Sequence, residues 1–155
     1  TRRSSDLTFH ELMQYYIYGS GKLEDIRGIV YRENGQLVDN GWREVMDLNK
    51  VPFVYEDMND FKNKIIYYET SRGCPFSCSY CLSSVDKKVR LRDMALVEKE
   101  LQFFIDHEVP QVKFVDRTFN CNKKHAMAIW RYIKAHDNGI TNFHFEIGAD
   151  LLDDE

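Results

Sequence analysis

The second part of the chain alternates short apolar runs with amphipathic helical segments, and this alternation constrains the fold more than any other feature. Strand-like runs occupy residues 65–68, 112–116 and 143–148. Asp93 and Asn122 can each cap a helix whose apolar residues recur at spacings of three and four. Strands that alternate with helices in this way are parallel and joined by right-handed crossovers. The sequence therefore predicts an α/β fold.

The first part of the chain has a different pattern. A capping box and a glycine stop predict a helix over residues 7–18. Residues 28–33 and 36–40 predict two strands of a hairpin, because the intervening Asn34 and Gly35 form the pair that a type I′ turn prefers. Residues 41–64 have mixed composition, and we expect them to form a wrapping linker.

Three of the four cysteines lie in one run, Cys-Pro-Phe-Ser-Cys-Ser-Tyr-Cys, as Cys74, Cys78 and Cys81. Thiols this close in sequence can reach one small volume, which suits metal ligation better than disulfide pairing. They are one ligand short of a tetrahedral set. A 4Fe–4S cluster bound here would therefore have one iron without a protein ligand. The run directly follows the first predicted strand, where parallel α/β barrels place their chemistry.

Two other interpretations of the cysteines stay open on the residues alone. A structural zinc site could take Cys121 or His125 as its fourth ligand, although such sites usually combine two separated Cys-x-x-Cys pairs. A redox dithiol could use Cys78 and Cys81, but Cys74 would then have no role. The non-enzymatic alternative is therefore a structural zinc or iron–sulfur module.

The segment over residues 69–81, Glu-Thr-Ser-Arg-Gly-Cys-Pro-Phe-Ser-Cys-Ser-Tyr-Cys, resembles the cluster loop of the radical S-adenosylmethionine (SAM) superfamily. The resemblance implies that Cys74, Cys78 and Cys81 bind three irons of a 4Fe–4S cluster and that SAM occupies the fourth. It implies a radical SAM enzyme that cleaves SAM reductively to a 5′-deoxyadenosyl radical, for hydrogen abstraction or methyl transfer on an unknown substrate. It also implies an electron donor such as flavodoxin or ferredoxin.

Three further residues are candidates for cofactor binding, and no catalytic residue is assigned. Tyr80 is the aromatic residue before the third cysteine, as in the superfamily. Asp116 stands near the place where many members carry a Gly-Gly-Glu that holds the SAM amine. Glu146 lies on the polar face of the third predicted strand. Arg90 and Arg92 are interpreted as part of a solvated basic turn.

Part of the chain resembles a subgroup whose members often carry an upstream cobalamin-binding domain. Residues 112–119 are similar to the second strand of such members, and residues 7–64 to the segment that joins the two domains. The Asp-x-His-x-x-Gly cobalamin signature is absent, so cobalamin could bind only through a missing upstream domain. A methylthiotransferase-like or an oxygen-independent coproporphyrinogen-oxidase-like member is the alternative within the superfamily.

These observations predict a helix-and-hairpin linker region over residues 1–64 and a truncated barrel over residues 65–155. The expected fold is the first part of a partial TIM-like barrel, with about three βα units and an N-terminal helix and β-hairpin appendage. We expect the chain to be a fragment that is inactive alone, although its parent is an enzyme. Its open sheet edge favours self-association.

Composition and net charge limit the classes of binding partner and the cellular compartment that we expect. The net charge of −4 argues against a dominant nucleic-acid interface. No apolar stretch approaches the roughly 18 residues of a membrane span. Clustered cysteines favour a reducing compartment, which predicts a cytoplasmic protein.

Overall fold

The computed structural model describes residues 5–61, 64–85 and 88–153. The chain divides into two compact units, Thr1–Asp47 and Leu48–Glu155. The predicted domain boundary after residue 64 falls inside the second unit. Short 3-10 helices occur in both units, at Leu23–Asp25, Leu48–Lys50, Met58–Phe61, Leu82–Val85, Phe119–Cys121 and Ala149–Leu151.

The first unit contains the predicted helix and hairpin. Helix α1 covers Ser5–Tyr18, and the antiparallel strands β1 (Val30–Glu33) and β2 (Gln36–Asp39) follow it. The turn between the strands has φ values of 48° at Asn34 and 83° at Gly35. Two consecutive positive φ values are the type I′ geometry that the Asn-Gly pair predicted.

The second unit begins with a strand and a small hairpin. Strand β3 covers Ile66–Tyr68, and the hairpin pairs β4 (Ser71–Arg72) with β5 (Arg90–Leu91) in antiparallel register. The sequence did not predict this hairpin. Each of its strands has two residues, which is too short for an alternation of apolar and polar side chains to be visible.

The βα alternation that follows is confirmed. Helix α2 (Met94–Asp106) leads to strand β6 (Gln111–Phe114), and helix α3 (Lys123–His136) leads to strand β7 (Asn142–His144). The described part of the unit forms a parallel sheet in the order β3-β6-β7. The last strand ends at His144, four residues earlier than predicted.

Side-chain caps begin both helices, as predicted. The Asp93 carboxylate accepts a hydrogen bond from the Ala95 amide at 2.9 Å, and the Asn122 side chain accepts one from the His125 amide at 3.0 Å. Each cap satisfies a backbone donor that a helix N-terminus otherwise leaves unpaired. The two helices therefore begin at fixed points beyond the strands that precede them.

One face of the sheet packs against both helices and forms the core. The fully buried core residues are Ile66, Tyr68, Val97, Leu101, Phe104, Val109, Val112, Phe114, Phe119, Ala126 and Ile129. Phe143 and Phe145 are partly buried and also pack against this core. The opposite face carries more accessible side chains, including Tyr67 and His144.

Residues 48–61 fold with the second unit. Phe53, Tyr55, Met58 and Phe61 pack against its core, and the Tyr55 hydroxyl donates to the Tyr67 carbonyl at 2.5 Å. The expected linker therefore contributes aromatic side chains to the barrel-like unit in this stretch. No helix among the described residues is both long and apolar enough to cross a membrane.

Candidate functional site

The cysteine run lies in a loop whose two ends are joined by backbone hydrogen bonds. Strand β4 precedes the loop and β5 follows it, with Ser71 opposite Leu91 and Arg72 opposite Arg90. The Arg92 amide extends this connection by donating to the Thr70 carbonyl at 2.8 Å. We call residues 73–89 the cluster loop. It begins directly after β4, in the segment that follows the C-terminal end of β3.

Gly73 lets the two sides of the cluster loop approach each other closely. Its φ is +111°, and a Cβ placed on it would lie 2.4 Å from the Lys88 carbonyl oxygen and 3.2 Å from the Val89 Cα. Residues with a side chain rarely adopt such a φ, and both contacts are with backbone rather than with a flexible side chain. Glycine is therefore required directly before the first cysteine of the run.

None of the three cysteines of the loop is in a disulfide bond. Cys74 and Cys81 are partly buried and Cys78 is exposed. The Cys81 amide donates to the Cys78 carbonyl at 3.2 Å, so a turn holds these two residues together. The Cys74 Sγ lies 4.0 Å from the Thr118 Oγ1, beyond the end of β6. The loop thus folds back over the C-terminal end of the sheet.

The donor chemistry of the loop fits an iron–sulfur cluster, since thiols that are not in disulfides can ionise and bind iron. As the side chains stand, no group of three or more His, Cys, Asp or Glu residues within the described part of the chain is arranged to hold a metal ion. Ligation would therefore require the three thiols to converge. The loop ends are fixed by backbone contacts, so this movement would be confined to the loop itself.

Asp116 is buried below the loop. It is 1% exposed, and its two carboxylate oxygens accept hydrogen bonds from Thr70, one from the amide at 3.2 Å and one from the hydroxyl at 2.8 Å. Burial raises the pKa of Asp116 above its usual value, while hydrogen bonds from Ser71 and Thr70 oppose that shift. The carboxylate joins the segments that follow β3 and β6.

The other two candidate cofactor residues are both accessible. The Tyr80 side chain is 92% exposed on the loop. The Glu146 carboxylate lies 3.3 Å from the Lys113 ammonium on the face of the sheet opposite the helices, and its backbone carbonyl accepts from the Phe119 amide. The structure shows no contact that joins Tyr80, Asp116 and Glu146 into one cluster within the described residues.

A buried ion pair beside the loop was missed from the sequence. Arg92 and Glu100 are both buried and form a two-point pair, with nitrogen–oxygen distances of 2.9 and 2.5 Å. Arg92 also donates to the Leu48 and Val51 carbonyls, and Glu100 accepts from the Tyr68 hydroxyl at 2.6 Å. The prediction of a solvated basic turn is wrong for Arg92, because the local charge pattern does not reveal these distant partners.

His125 and Cys121 lie in the segment that follows β6. His125 is buried in the first turn of α3, and burial lowers its pKa. Its apolar neighbours Ala126 and Ile129 turn that part of the helix toward the core. Burial also raises the pKa of the Cys121 thiol, with smaller contributions from Cys74 and Asp116. Neither residue joins a metal-binding group among the described residues.

Comparison with known proteins identifies a family match over the cluster loop and the sheet. The family described as the radical SAM superfamily matches residues 68–155, which is more than half of the chain. A Pyrococcus horikoshii protein named as an uncharacterized methyltransferase is 32% identical over 143 residues. The alignment covers 86% of this chain and 31% of that relative.

Two solved structures share the fold. The cobalamin-dependent SAM radical enzyme OxsB, with aqua-cobalamin and SAM bound, matches with a TM-score of 0.67 and 21% identity, over 92% of this chain and 21% of that one. The radical SAM methyltransferase TsrM from Kitasatospora setae, with cobalamin and a 4Fe–4S cluster bound, matches with a TM-score of 0.59 and 15% identity, over 86% and 29%. The chain thus spans less than a third of the length of these proteins.

Proposed function

We propose that this chain, which belongs to the radical SAM superfamily, provides the cluster-binding part of an enzyme that cleaves SAM reductively. Cys74, Cys78 and Cys81 are the proposed ligands of a 4Fe–4S cluster. The observation that carries the proposal is a loop with three cysteines, closed at its base by the β4–β5 pairing and placed in the segment that follows the first parallel strand. When bound, the cluster would supply the electron that breaks a carbon–sulfur bond of SAM.

The chain's own residues would bind and orient the cofactors. Tyr80 can lay its exposed ring against SAM, because it immediately precedes a cluster ligand and is not held in the core. Glu146 can accept a hydrogen bond from SAM or substrate on the accessible face of the sheet, where Lys113 holds its carboxylate. The β4–β5 pairing would keep the loop over the sheet end while the thiols converge.

We propose that the whole protein transfers a methyl group to a substrate whose identity is not readable from this chain. The name of the Pyrococcus relative supports methyl transfer, and the shared fold of two cobalamin-containing structures supports a link to cobalamin. Cobalamin would then bind to an upstream domain of the whole protein. Hydrogen abstraction from substrate is the alternative use of the same cleavage reaction.

Anaerobic reconstitution with iron and sulfide tests the ligand assignment. The chain should bind about four irons and show thiolate-to-iron charge-transfer absorption. Cys78→Ala should abolish iron uptake, because it removes one of three ligands, whereas the matched Cys121→Ala variant should bind iron normally. Equal losses in both variants would place Cys121 among the ligands and contradict the assignment.

An acidic electron donor such as flavodoxin or ferredoxin is the proposed redox partner. Lys88 in the cluster loop and Arg117 after β6 are both exposed and add positive charge near the candidate site. Exposed charges steer association, and salt screens that effect. Cluster reduction by flavodoxin should therefore slow as ionic strength rises. A rate that does not depend on salt would argue against this docking mode.

We also propose the cytoplasm as the compartment, because clustered cysteines that form no disulfide suit a reducing environment.

We also propose that the chain self-associates through the outer edge of β7. In the described residues β7 pairs with β6 alone, and an unpaired strand edge can recruit another strand. Phe143 lies in this strand and is only partly buried, so it leaves some apolar surface near the edge. Sedimentation at tens of micromolar protein should show a dimer or larger species. A monomer under these conditions would contradict the proposal.

A further inference from the structure

Two segments meet twice at the C-terminal end of the sheet. The first contact joins Thr70 to Asp116 through two hydrogen bonds, and the second brings the Cys74 Sγ within 4.0 Å of the Thr118 Oγ1. Thr70 precedes Cys74 by four residues, and Asp116 precedes Thr118 by two. The Thr70–Asp116 contact therefore lies close to the point where Cys74, the first cysteine of the run, meets the segment after β6.

The Thr70–Asp116 contact continues the sheet after its backbone pairing ends. The Val115 amide donates to the Tyr68 carbonyl at 2.9 Å, and beyond this point the Asp116 carboxylate accepts from the backbone of Thr70. On its other side, the Thr70 carbonyl accepts from the Arg92 amide. Both backbone polar groups of this fully buried residue are thus satisfied, one by each neighbouring segment.

From this arrangement we infer that Asp116 is a positioning residue for the cluster loop. By holding the amide and the hydroxyl of Thr70, it fixes where the loop leaves β3 and thereby where Cys74 stands relative to Thr118. The inference rests on the proposed function, because it assumes that Cys74 is a cluster ligand. Groups that orient metal ligands without touching the metal commonly control metal affinity and redox behaviour.

This role differs from direct binding of SAM by Asp116. A cofactor ligand needs an oxygen that the cofactor can reach, whereas Asp116 is 1% exposed and each of its oxygens accepts from Thr70. The two roles also make different predictions. Positioning affects the cluster before SAM is added, and direct binding affects only the affinity for SAM.

The test compares reconstituted wild-type chain with Asp116→Asn, Thr70→Val and Thr70→Ser. Asp116→Asn replaces one acceptor oxygen by a donor group that faces Thr70, and Thr70→Val deletes the donating hydroxyl while keeping the shape. Thr70→Ser keeps the hydroxyl and serves as the conservative rescue. Thr141→Val is the matched control, because Thr141 is also buried but directly precedes β7 at the opposite end of the sheet.

Iron release to a chelator and the electron paramagnetic resonance spectrum of the reduced cluster are measured without SAM, and SAM affinity is measured afterwards. Asp116→Asn and Thr70→Val should release iron about 10- to 100-fold more readily. Both should share an altered spectrum, whereas Thr70→Ser and Thr141→Val should resemble wild type. If Asp116→Asn does not fold, Thr70→Val carries the test by itself.

Two results would overturn the inference. Wild-type iron retention and spectrum in Asp116→Asn and Thr70→Val would show that the contact does not position the loop. If SAM affinity alone fell in Asp116→Asn, the residue would be a cofactor ligand. Failure of the wild-type chain to bind iron would instead overturn the proposed function, so the two failures can be told apart.

Discussion

Replacement of Gly73 by alanine should open the cluster loop and prevent cluster assembly while leaving the rest of the second unit folded. The added Cβ would lie 2.4 Å from the Lys88 carbonyl oxygen, and the residue would keep a φ of +111°. Backbone conformations of this kind cost a residue with a side chain about 1–3 kcal/mol. The contact with Lys88 adds to that cost, because a backbone carbonyl cannot rotate away as a side chain can.

The loop should yield before the sheet does. Among the described residues, the hairpin at its base pairs Ser71 and Arg72 with Arg90 and Leu91, and one further hydrogen bond joins Arg92 to Thr70. Each backbone hydrogen bond contributes about 0.5–1.5 kcal/mol net, so separating so short a hairpin costs about as much as the strain it relieves. Unfolding the core would cost far more, because the fully buried side chains of the sheet and helices would be exposed.

Gly139→Ala is the matched control for this prediction. Gly139 has a φ of +69°, but a Cβ placed on it meets no atom within 4 Å. The Gly139→Ala variant should therefore lose about 1–2 kcal/mol of stability from the backbone conformation alone, without a steric clash. Iron content after anaerobic reconstitution and protease cleavage within residues 73–89 are the two measurements. Equal iron content in the two variants would refute the claim that close approach to Lys88 shapes the loop.

Three further changes test other parts of the second unit. Glu100→Gln should lower the free energy of unfolding by about 3 kcal/mol in urea denaturation, because Arg92 would keep a buried charge without its carboxylate; a loss below about 1 kcal/mol, typical of surface pairs, would contradict the buried pairing. Asp93→Ala should cost about 1 kcal/mol in the same assay through loss of the α2 cap, and an unchanged midpoint would show that the cap is dispensable. Burial lowers the pKa of His125 from its ordinary value of 6.5, so the unfolded chain takes up a proton more readily and stability should fall as the pH drops below that value. His125→Gln should reduce this acid sensitivity of the cluster-free chain, whereas the exposed His144→Gln should not; identical pH profiles for both variants would contradict the role of His125.

The regular elements of the fold could be predicted because their signals are local. The caps at Asp93 and Asn122 and the turn at Asn34 each depend on residues within a few positions of one another. The family resemblance likewise depends on a short run from residue 69 to residue 81. For such features, all the interacting residues lie within one short segment of the sequence. The predicted fold class and family were both confirmed.

The features that could not be predicted depend on partners far apart in sequence. Arg92 lies beside other basic residues, and nothing nearby indicates that its carbonyl partners are Leu48 and Val51. The hairpin beneath the cluster loop joins strands separated by 17 intervening residues. The contact of Asp116 with Thr70 spans 46 positions. Such residues are buried by segments that are distant in sequence. The residue types near them in the sequence therefore do not indicate their burial or their partners.

The contacts that hold the cluster loop have a consequence for folding during synthesis. The hairpin is complete at Arg92, and the contacts of Thr70 with Asp116 and of Cys74 with Thr118 are the last of the described anchors to become available. A chain that emerges from the ribosome from its N-terminus, at about 5–20 residues per second, folds its earlier segments first. The loop can therefore reach its anchored form once Thr118 has emerged, before β7 leaves the ribosome. The three cysteines would then lie in the anchored loop while the last strand of the sheet is still inside the ribosome.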